Sequence, residues 1–225
     1  MSTRIAEVRQ NVLRDNDVLA RNLREQFADN GVFVVSLVSS PGAGKTSLLR
    51  ETISALKGRW RCAALVGDLA TDRDAARLRE SGVPVRQITT GTVCHLDARM
   101  VESALAAWDL RTLDALFIEN VGNLVCPASY DLGERMRVVL LSVTEGEDKP
   151  LKYPSIFNTA DVVVITKIDL AAAVEFQRDE MLANLQSVRP GIEVFEVSAK
   201  SGAGIAVWLA RLESARSTRY ALNDD

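Results

Sequence analysis

Histidine is almost absent from this sequence and cysteine is scarce: there is one histidine and there are three cysteines among 225 residues. Long hydrophobic runs are missing as well. The apolar stretches end at about eight residues, well short of the ~20 a helix needs to cross a bilayer, so no membrane span is expected. The N-terminal MSTRIAEVRQNVLRDNDVLA has no apolar core of the kind a secretory signal carries, and a cytoplasmic location is expected by elimination. With 27 basic against 30 acidic residues, the net charge of −3 offers no broad positive surface, so nucleic acid is not an expected partner. Cys62, Cys94 and Cys126 are far apart and form no Cys-x-x-Cys pair, which excludes a disulfide framework in favour of reactive or ligand roles. No repeat, low-complexity tract or Pro/Gly-rich linker divides the chain. Residues 1–225 are therefore expected to form one domain, with 3–29 an amphipathic helix packed on it or leading into it.

What the chain does contain is 47% apolar residues arranged in two alternating patterns. Residues 3–29 place Ile5, Val8, Val12, Leu19, Leu23 and Phe27 at roughly helical intervals, and Asn30-Gly31 then stops the helix. Short runs rich in Val and Ile follow at 32–38, 62–67, 85–89, 114–119, 137–143, 161–166 and 192–198, and they read as buried strands. Segments 46–57, 71–80, 97–109 and 174–188 read as crossover helices between them. The expected fold is α/β: a P-loop NTPase with a doubly wound, largely parallel sheet of about seven strands flanked by helices. In such a sheet ligands gather at the carboxyl ends of the strands.

The stretch SSPGAGKTS, residues 39–47, lies between a predicted strand and a predicted helix. That is the context in which a glycine-rich loop cradles phosphate: backbone N–H groups of Gly42, Ala43 and Gly44, with the helix N-terminus at Ser47 behind them, surround phosphate oxygens. Lys45 is placed to reach the β- and γ-phosphates, and Thr46 to give a hydroxyl to Mg²⁺. Ser39 stands where this motif has its first glycine, a replacement that is tolerated if the residue is not at positive φ. At the exit of the sixth predicted strand stands Thr166-Lys167-Ile168-Asp169, where GTPases carry Asn-Lys-x-Asp. Asp169 would accept from guanine N1–H and its exocyclic amine, donors adenine lacks, and the Lys167 stem would cover the base. Ser198-Ala199-Lys200 resembles the remaining guanine-side loop, so GTP and GDP are expected rather than adenine nucleotides. Thr166 loses the amide that braces the neighbouring loop, and weaker guanine binding is expected from it.

Two acids and a glycine lie where γ-phosphate sensors belong. Asp68, at the end of the second strand, is a candidate to bind Mg²⁺ or to orient the attacking water. Glu119, at the end of the fourth, is a Walker-B-type candidate for Mg²⁺, and either acid could activate water. Gly122 is placed to give its N–H to a γ-phosphate, while Asp72 and Asp74 read as helix caps. No strong catalytic Gln or Arg is evident, and slow hydrolysis is expected.

Thiolate and imidazole suit Ni²⁺ and Zn²⁺. Cys94 and His95 open a helix just after the third strand, and Cys126 follows the fourth strand by seven residues. In a parallel sheet both loops emerge on one edge, so three ligands converge, one short of a closed tetrahedral set. A water, a chloride or a partner subunit would complete it. Cys126 shares the segment ENVGNLVC with Glu119 and Gly122, so metal affinity is expected to depend on nucleotide state. Cys62, inside a strand, reads as a core residue.

The stretches NDVLARNLREQF, SSPGAGKTSLLRETI, GDLATDRDAARL, TGTVCHLDARMV, IENVGNLVCPASYDLGE and SVTEGEDKPLKYP together resemble the HypB family, GTPases of the SIMIBI class that deliver nickel during [NiFe]-hydrogenase maturation. The resemblance implies a GTP-dependent homodimer holding Ni²⁺ or Zn²⁺ through Cys94, His95 and Cys126 at the subunit interface, where a two-fold axis would unite two ligand sets. It also implies a small nickel metallochaperone and the hydrogenase large subunit as partners, and Lys149 or Lys152 reaching a nucleotide across the dimer, unless that loop is only a solvated one. The N-terminal Cys-rich or His-rich nickel motif of many bacterial members is not matched. A urease-type nickel GTPase would carry Cys-Pro-His, whereas Cys126-Pro127 has no histidine after it. A metal-buffering protein with a structural nucleotide is the other alternative, and it predicts metal affinity indifferent to nucleotide.

Overall fold

The computed structural model describes residues 2–220, with side chains from 10 to 218. Helix α1 (Ser2–Asp29) ends where Asn30-Gly31 was expected to end it: Gly31 turns to φ 71° and its N–H returns to Ala28 O at 3.0 Å. The chain then runs through β1 (Phe33–Ser39), α2 (Lys45–Leu56), β2 (Cys62–Asp68), α3 (Arg73–Arg79), β3 (Val85–Thr89), α4 (Ala98–Leu105), β4 (Ala115–Glu119) and β5 (Met136–Ser142). It continues with α5 (Lys149–Lys152), α6 (Pro154–Asn158), β6 (Val162–Thr166), α7 (Arg178–Val188), β7 (Glu193–Glu196) and α8 (Ile205–Tyr220).

Seven strands form one sheet in the order β3-β2-β4-β1-β5-β6-β7, every adjacent pair parallel. The sheet is thus wholly rather than largely parallel. Its central strands are buried on both faces, as continuous Val/Ile/Leu runs require. On one face, Phe33, Val35 and Leu37 of β1 pack with Leu49, Ile53 and Leu56 of α2 and with Trp208 and Leu212 of α8. On the other, Leu23 and Phe27 of α1 and Val101 and Leu105 of α4 cover β2 and β4. Phe157 of α6 with Met181 and Leu185 of α7 covers β5 and β6 on that same side. Of the stripe expected on α1, Leu23 and Phe27 are buried, Val12 is exposed, and Ile5 and Val8 lie outside the described side chains.

The strand register decides where the chemistry lies. Glu119 pairs with Leu37 of β1 and with Val66 of β2, so it emerges beside the phosphate loop that begins at Ser39. Thr166 pairs with Ser142 on the far side of β1. Because all strands point the same way, Ser39, Asp68, Thr89, Glu119 and Thr166 open onto one edge of the sheet.

Candidate functional site

Between β1 and α2 the chain makes the turn that a phosphate cradle needs. Gly42 and Gly44 take φ of 76° and 96°, values strained for any residue with a Cβ, and Gly44 caps α2. Ser39 is not at positive φ, so it replaces glycine without strain. Its hydroxyl donates to Ser40 O at 2.6 Å and accepts from Lys45 Nζ at 3.0 Å. Burial lowers the pKa of Lys45 while the neighbouring Glu119 carboxylate works against that.

Thr46 Oγ1 donates to Glu119 Oε1 at 2.7 Å. The second Glu119 oxygen is buried without a hydrogen-bond partner, and burial pushes this carboxyl up to about 7 against the opposing pull of Lys45 and the Thr46 bond. A hydroxyl and a carboxylate with one unspent oxygen form a hard-donor pair suited to Mg²⁺. Asp68 is turned differently. Its Oδ1 accepts from Thr71 N–H at 2.7 Å, from Ala70 N–H at 2.9 Å and from the Thr71 hydroxyl at 3.3 Å. Burial alone would raise its pKa, but those bonds and the Lys45 charge hold it below the usual carboxylate range. The expected caps are only half met: Asp72 sits at the start of α3 but makes no capping bond, and Asp74 lies in the first turn, 3.9 Å from Arg77.

On the other side of the loop a cavity of about 230 Å³ is lined by Gly44, Ser47, Thr166, Lys167, Asp169 and Lys200 among others. Ala199 also borders it, whereas Ser198 is buried behind and donates to Asp169 Oδ1 at 2.6 Å, aiming that carboxylate rather than facing the cavity. Lys167, held at φ 58°, donates from Nζ to Gly42 O at 2.7 Å. The brace expected to be lost at Thr166 is present. The Thr166 hydroxyl lies 2.6 Å from Ala43 O and donates to it, because the end of β6 comes close enough for a short side chain to span the gap. Threonine and lysine thus hold two consecutive carbonyls of the phosphate loop.

The metal candidates converge as expected. One ligand atom from each of Cys94, His95 and Cys126 lies within 4.8 Å of the others, and the two sulfurs are 2.9 Å apart. Cys94 and His95 precede α4, whose N-cap Asp97 accepts from Met100 N–H at 2.8 Å. Cys126 begins a 3-10 turn through Ser129. The His95 ring stacks on Tyr130 with centroids 3.9 Å apart, and its Nδ1 is buried without a hydrogen-bond partner. Burial lowers the imidazole pKa, which favours the neutral, metal-ligating form. Two thiols and an unpaired ring nitrogen suit a borderline-soft divalent ion. Cys62 belongs to the core, as expected; burial pushes its thiol up to about 12. Lys149 approaches Glu145 at 4.0 Å, and Lys152 pairs with Asp148 on the surface.

Several contributors carry no motif of their own. Tyr130 is one. Asn120 and Asn123 are others: Asn120 Oδ1 accepts from Leu96 N–H at 3.0 Å, and Asn123 Nδ2 donates to Cys94 O at 3.3 Å. The available signal was a polar residue directly after the apolar run of β4, where burial obliges it to find partners.

Comparison with known proteins agrees with this geometry along most of the chain. The model of the CobW/HypB/UreG nucleotide-binding domain matches residues 33–196. A hydrogenase maturation factor HypB from Azotobacter vinelandii is 52% identical over 217 residues, covering 96% of this chain and 72% of that protein. The HypB of Escherichia coli K12 is 49% identical over 213 residues, covering 95% and 73%. Among solved structures, HypB from Helicobacter pylori in complex with nickel superimposes with a TM-score of 0.87 at 41% identity, covering 92% of this chain and 97% of that one. A family model over most of the chain and relatives about 50% identical along nearly all of it place the chain in the HypB family.

Proposed function

We infer that the chain is a slow GTPase whose nucleotide controls a nickel- or zinc-binding site in hydrogenase maturation. The observation that carries this reading is the cluster of Cys94, His95 and Cys126, whose ligand atoms lie within 4.8 Å of one another on the sheet edge that also bears the phosphate loop. Gly42, Ala43, Gly44, Lys45 and Ser47 hold the phosphates, and Thr46 with Glu119 holds Mg²⁺, which supplies charge neutralisation at the phosphates when bound. Glu119 being engaged there, Asp68 is the acid left to orient the attacking water. Asp169 selects guanine, aimed by Ser198, with Lys167, Ala199 and Lys200 around the base. The chain acts as one GTPase unit with α1 packed on it.

Nickel is the cargo. The ligand set counts two thiolates and one imidazole, and a second copy across a two-fold axis brings the missing ligands, which makes the working form a homodimer formed with GTP. A small nickel metallochaperone and the hydrogenase large subunit are its partners, in the cytoplasm; no helix among the described residues is long and apolar enough to cross a membrane. Equilibrium titration with Ni²⁺ tests this, comparing the GDP form with the Mg²⁺–GTP-analogue form and using Cys94→Ala as control. A difference of tenfold or more, about 1.4 kcal/mol of coupling, is expected, and it vanishes in the variant. Equal affinities in both forms would leave a metal buffer with a structural nucleotide.

A further inference from the structure

One short turn meets both residues of the Cys94–His95 pair. Cys126 opens the 3-10 turn that ends at Tyr130, whose N–H donates to Pro127 O at 3.3 Å. The first residue of the turn sets its sulfur 2.9 Å from that of Cys94. The last lays its ring on the His95 imidazole, with centroids 3.9 Å and planes 28° apart. Cys126 is accounted for as a ligand; the ring of Tyr130 is not.

Its placement is nevertheless closely held. Tyr130 O accepts from Arg137 Nη2 at 2.7 Å, and Arg137, buried in β5, also donates through Nε to the buried Glu134 at 2.7 Å. The carbonyl of the next residue, Asp131, accepts from Asn16 Nδ2 of α1 at 2.9 Å. The Oδ1 of the same Asn16 accepts at 2.9 Å from the N–H of Ala98, which opens α4 just beyond His95. One side chain, 7% exposed, thus ties together the loop that carries the tyrosine and the loop that carries the histidine.

A histidine ligand must keep one ring edge toward the metal, and rotation about its side-chain torsions takes that edge away. Metal-bound imidazoles are commonly oriented by a hydrogen bond at the nitrogen that does not ligate. The buried Nδ1 of His95 has no hydrogen-bond partner, and here the ring is steadied through its face. We propose that Tyr130 is a positioning residue of the metal site: its ring, packed on His95, holds the imidazole toward Cys94 and Cys126 and so brings a third ligand to the two thiolates. The inference rests on the metal-binding reading above and deepens it. It requires a flat face at residue 130 and makes no use of the phenol hydroxyl.

Ni²⁺ titrations of the full chain in its GDP form are made on the wild type, Tyr130→Phe, Tyr130→Leu, His95→Ala and the Tyr130→Leu/His95→Ala pair. Tyr130→Phe keeps the flat ring and is expected within about threefold of wild type. Tyr130→Leu keeps apolar bulk without the face and is expected to bind about tenfold or more weakly, the size of loss typical when a metal ligand loses its support. In the His95→Ala background the same replacement changes affinity less than about twofold, because it acts through the imidazole. X-ray absorption of the nickel-loaded proteins supplies a signature that a general loosening would not: imidazole scattering is expected in the wild type and Tyr130→Phe and absent from Tyr130→Leu, with sulfur scattering kept in all three. GDP affinity stays within about twofold of wild type throughout. Tyr130→Leu binding nickel like the wild type, a tenfold loss that persists without His95, or a tenfold loss of GDP affinity each overturns the proposal. No nickel binding by the wild type, or binding indifferent to His95→Ala, removes the metal reading itself and the proposal with it.

Discussion

Replacing Gly122 with alanine tests whether the segment after β4 bears on the phosphate loop. An added Cβ would lie 2.9 Å from Pro41 Cα, 3.0 Å from Pro41 N and 3.1 Å from Pro41 Cγ. Non-bonded carbons settle at about 3.5–4.0 Å, so the two segments must separate by roughly 0.5–1 Å. Two of the three atoms are backbone, so no rotamer change relieves the contact. The loop is also held from behind, at Gly42 O by Lys167 and at Ala43 O by Thr166, and cannot yield freely. Overpacking of this kind costs about 1–3 kcal/mol. The smaller entropy of the unfolded alanine chain returns about 0.4–1 kcal/mol. The net loss, at most about 2.6 kcal/mol, lowers Tm by up to about 10 °C in a chain of this size. Because the strained partner is the phosphate loop, the gain in Tm on adding the Mg²⁺–GTP analogue shrinks as well. Differential scanning calorimetry with and without nucleotide measures both effects. Pro41→Ala in the Gly122→Ala background removes only the Cγ contact and restores less than half of the loss. A Gly122→Ala melt within 1 °C of wild type, with undiminished nucleotide stabilisation, would refute the argument, and so would full rescue by Pro41→Ala.

The remaining predictions concern Glu119 and Thr166. Burial raises the Glu119 carboxyl to about 7, so its stabilising contribution in the nucleotide-free chain is complete below its unfolded value near 4.5 and is lost as pH rises through about 7. Between pH 5 and pH 8 the wild type therefore loses up to roughly 3 kcal/mol relative to Glu119→Gln, read from urea unfolding of both proteins without metal or nucleotide; parallel pH profiles would show the carboxylate to be solvated. Thr166→Val keeps the shape and removes the hydroxyl that holds Ala43 O, at a cost of about 1 kcal/mol, so GDP affinity falls roughly fivefold. Thr166→Asn restores a donor there and stays within about threefold of wild type; unchanged affinity in Thr166→Val would mean that the brace does not set the loop.

The strands were legible because each is a short, β-branched run between turn signals, and a buried parallel sheet leaves no other pattern for such runs. The helices were less so, for identifiable reasons. The one expected from residue 174 begins at Arg178 because Glu175 takes φ 54°, which no helix continues through. The one expected to reach 109 stops at Leu105, with a 3-10 turn at Leu110–Thr112 beyond it. Helix α8 was not anticipated, although Ile205, Trp208 and Leu212 stand at helical spacing; Trp208 is fully buried, and its Nε1 donates to Thr52 Oγ1 of α2 at 3.0 Å.

At the site, residue types that do chemistry by themselves were readable in advance: thiols, imidazole, and a lysine after a glycine turn. What escaped was everything decided by the distance between segments remote in sequence. Whether threonine can brace a loop where asparagine usually does depends on how near β6 brings its hydroxyl to Ala43 O, and no local pattern encodes that 2.6 Å. Asn120 gives the same lesson in a stronger form. Its neighbour Glu119 announces itself as an acid at a strand end, whereas Asn120 has no motif, and its meaning comes from the 24 residues that separate it from Leu96. An amide oxygen buried at a strand terminus must be satisfied. Here it is satisfied by the backbone N–H groups of Val121 and of Leu96, the residue that follows the Cys94-His95 pair. Satisfying that one oxygen thus also ties the loop that carries Cys94 and His95 to the end of β4.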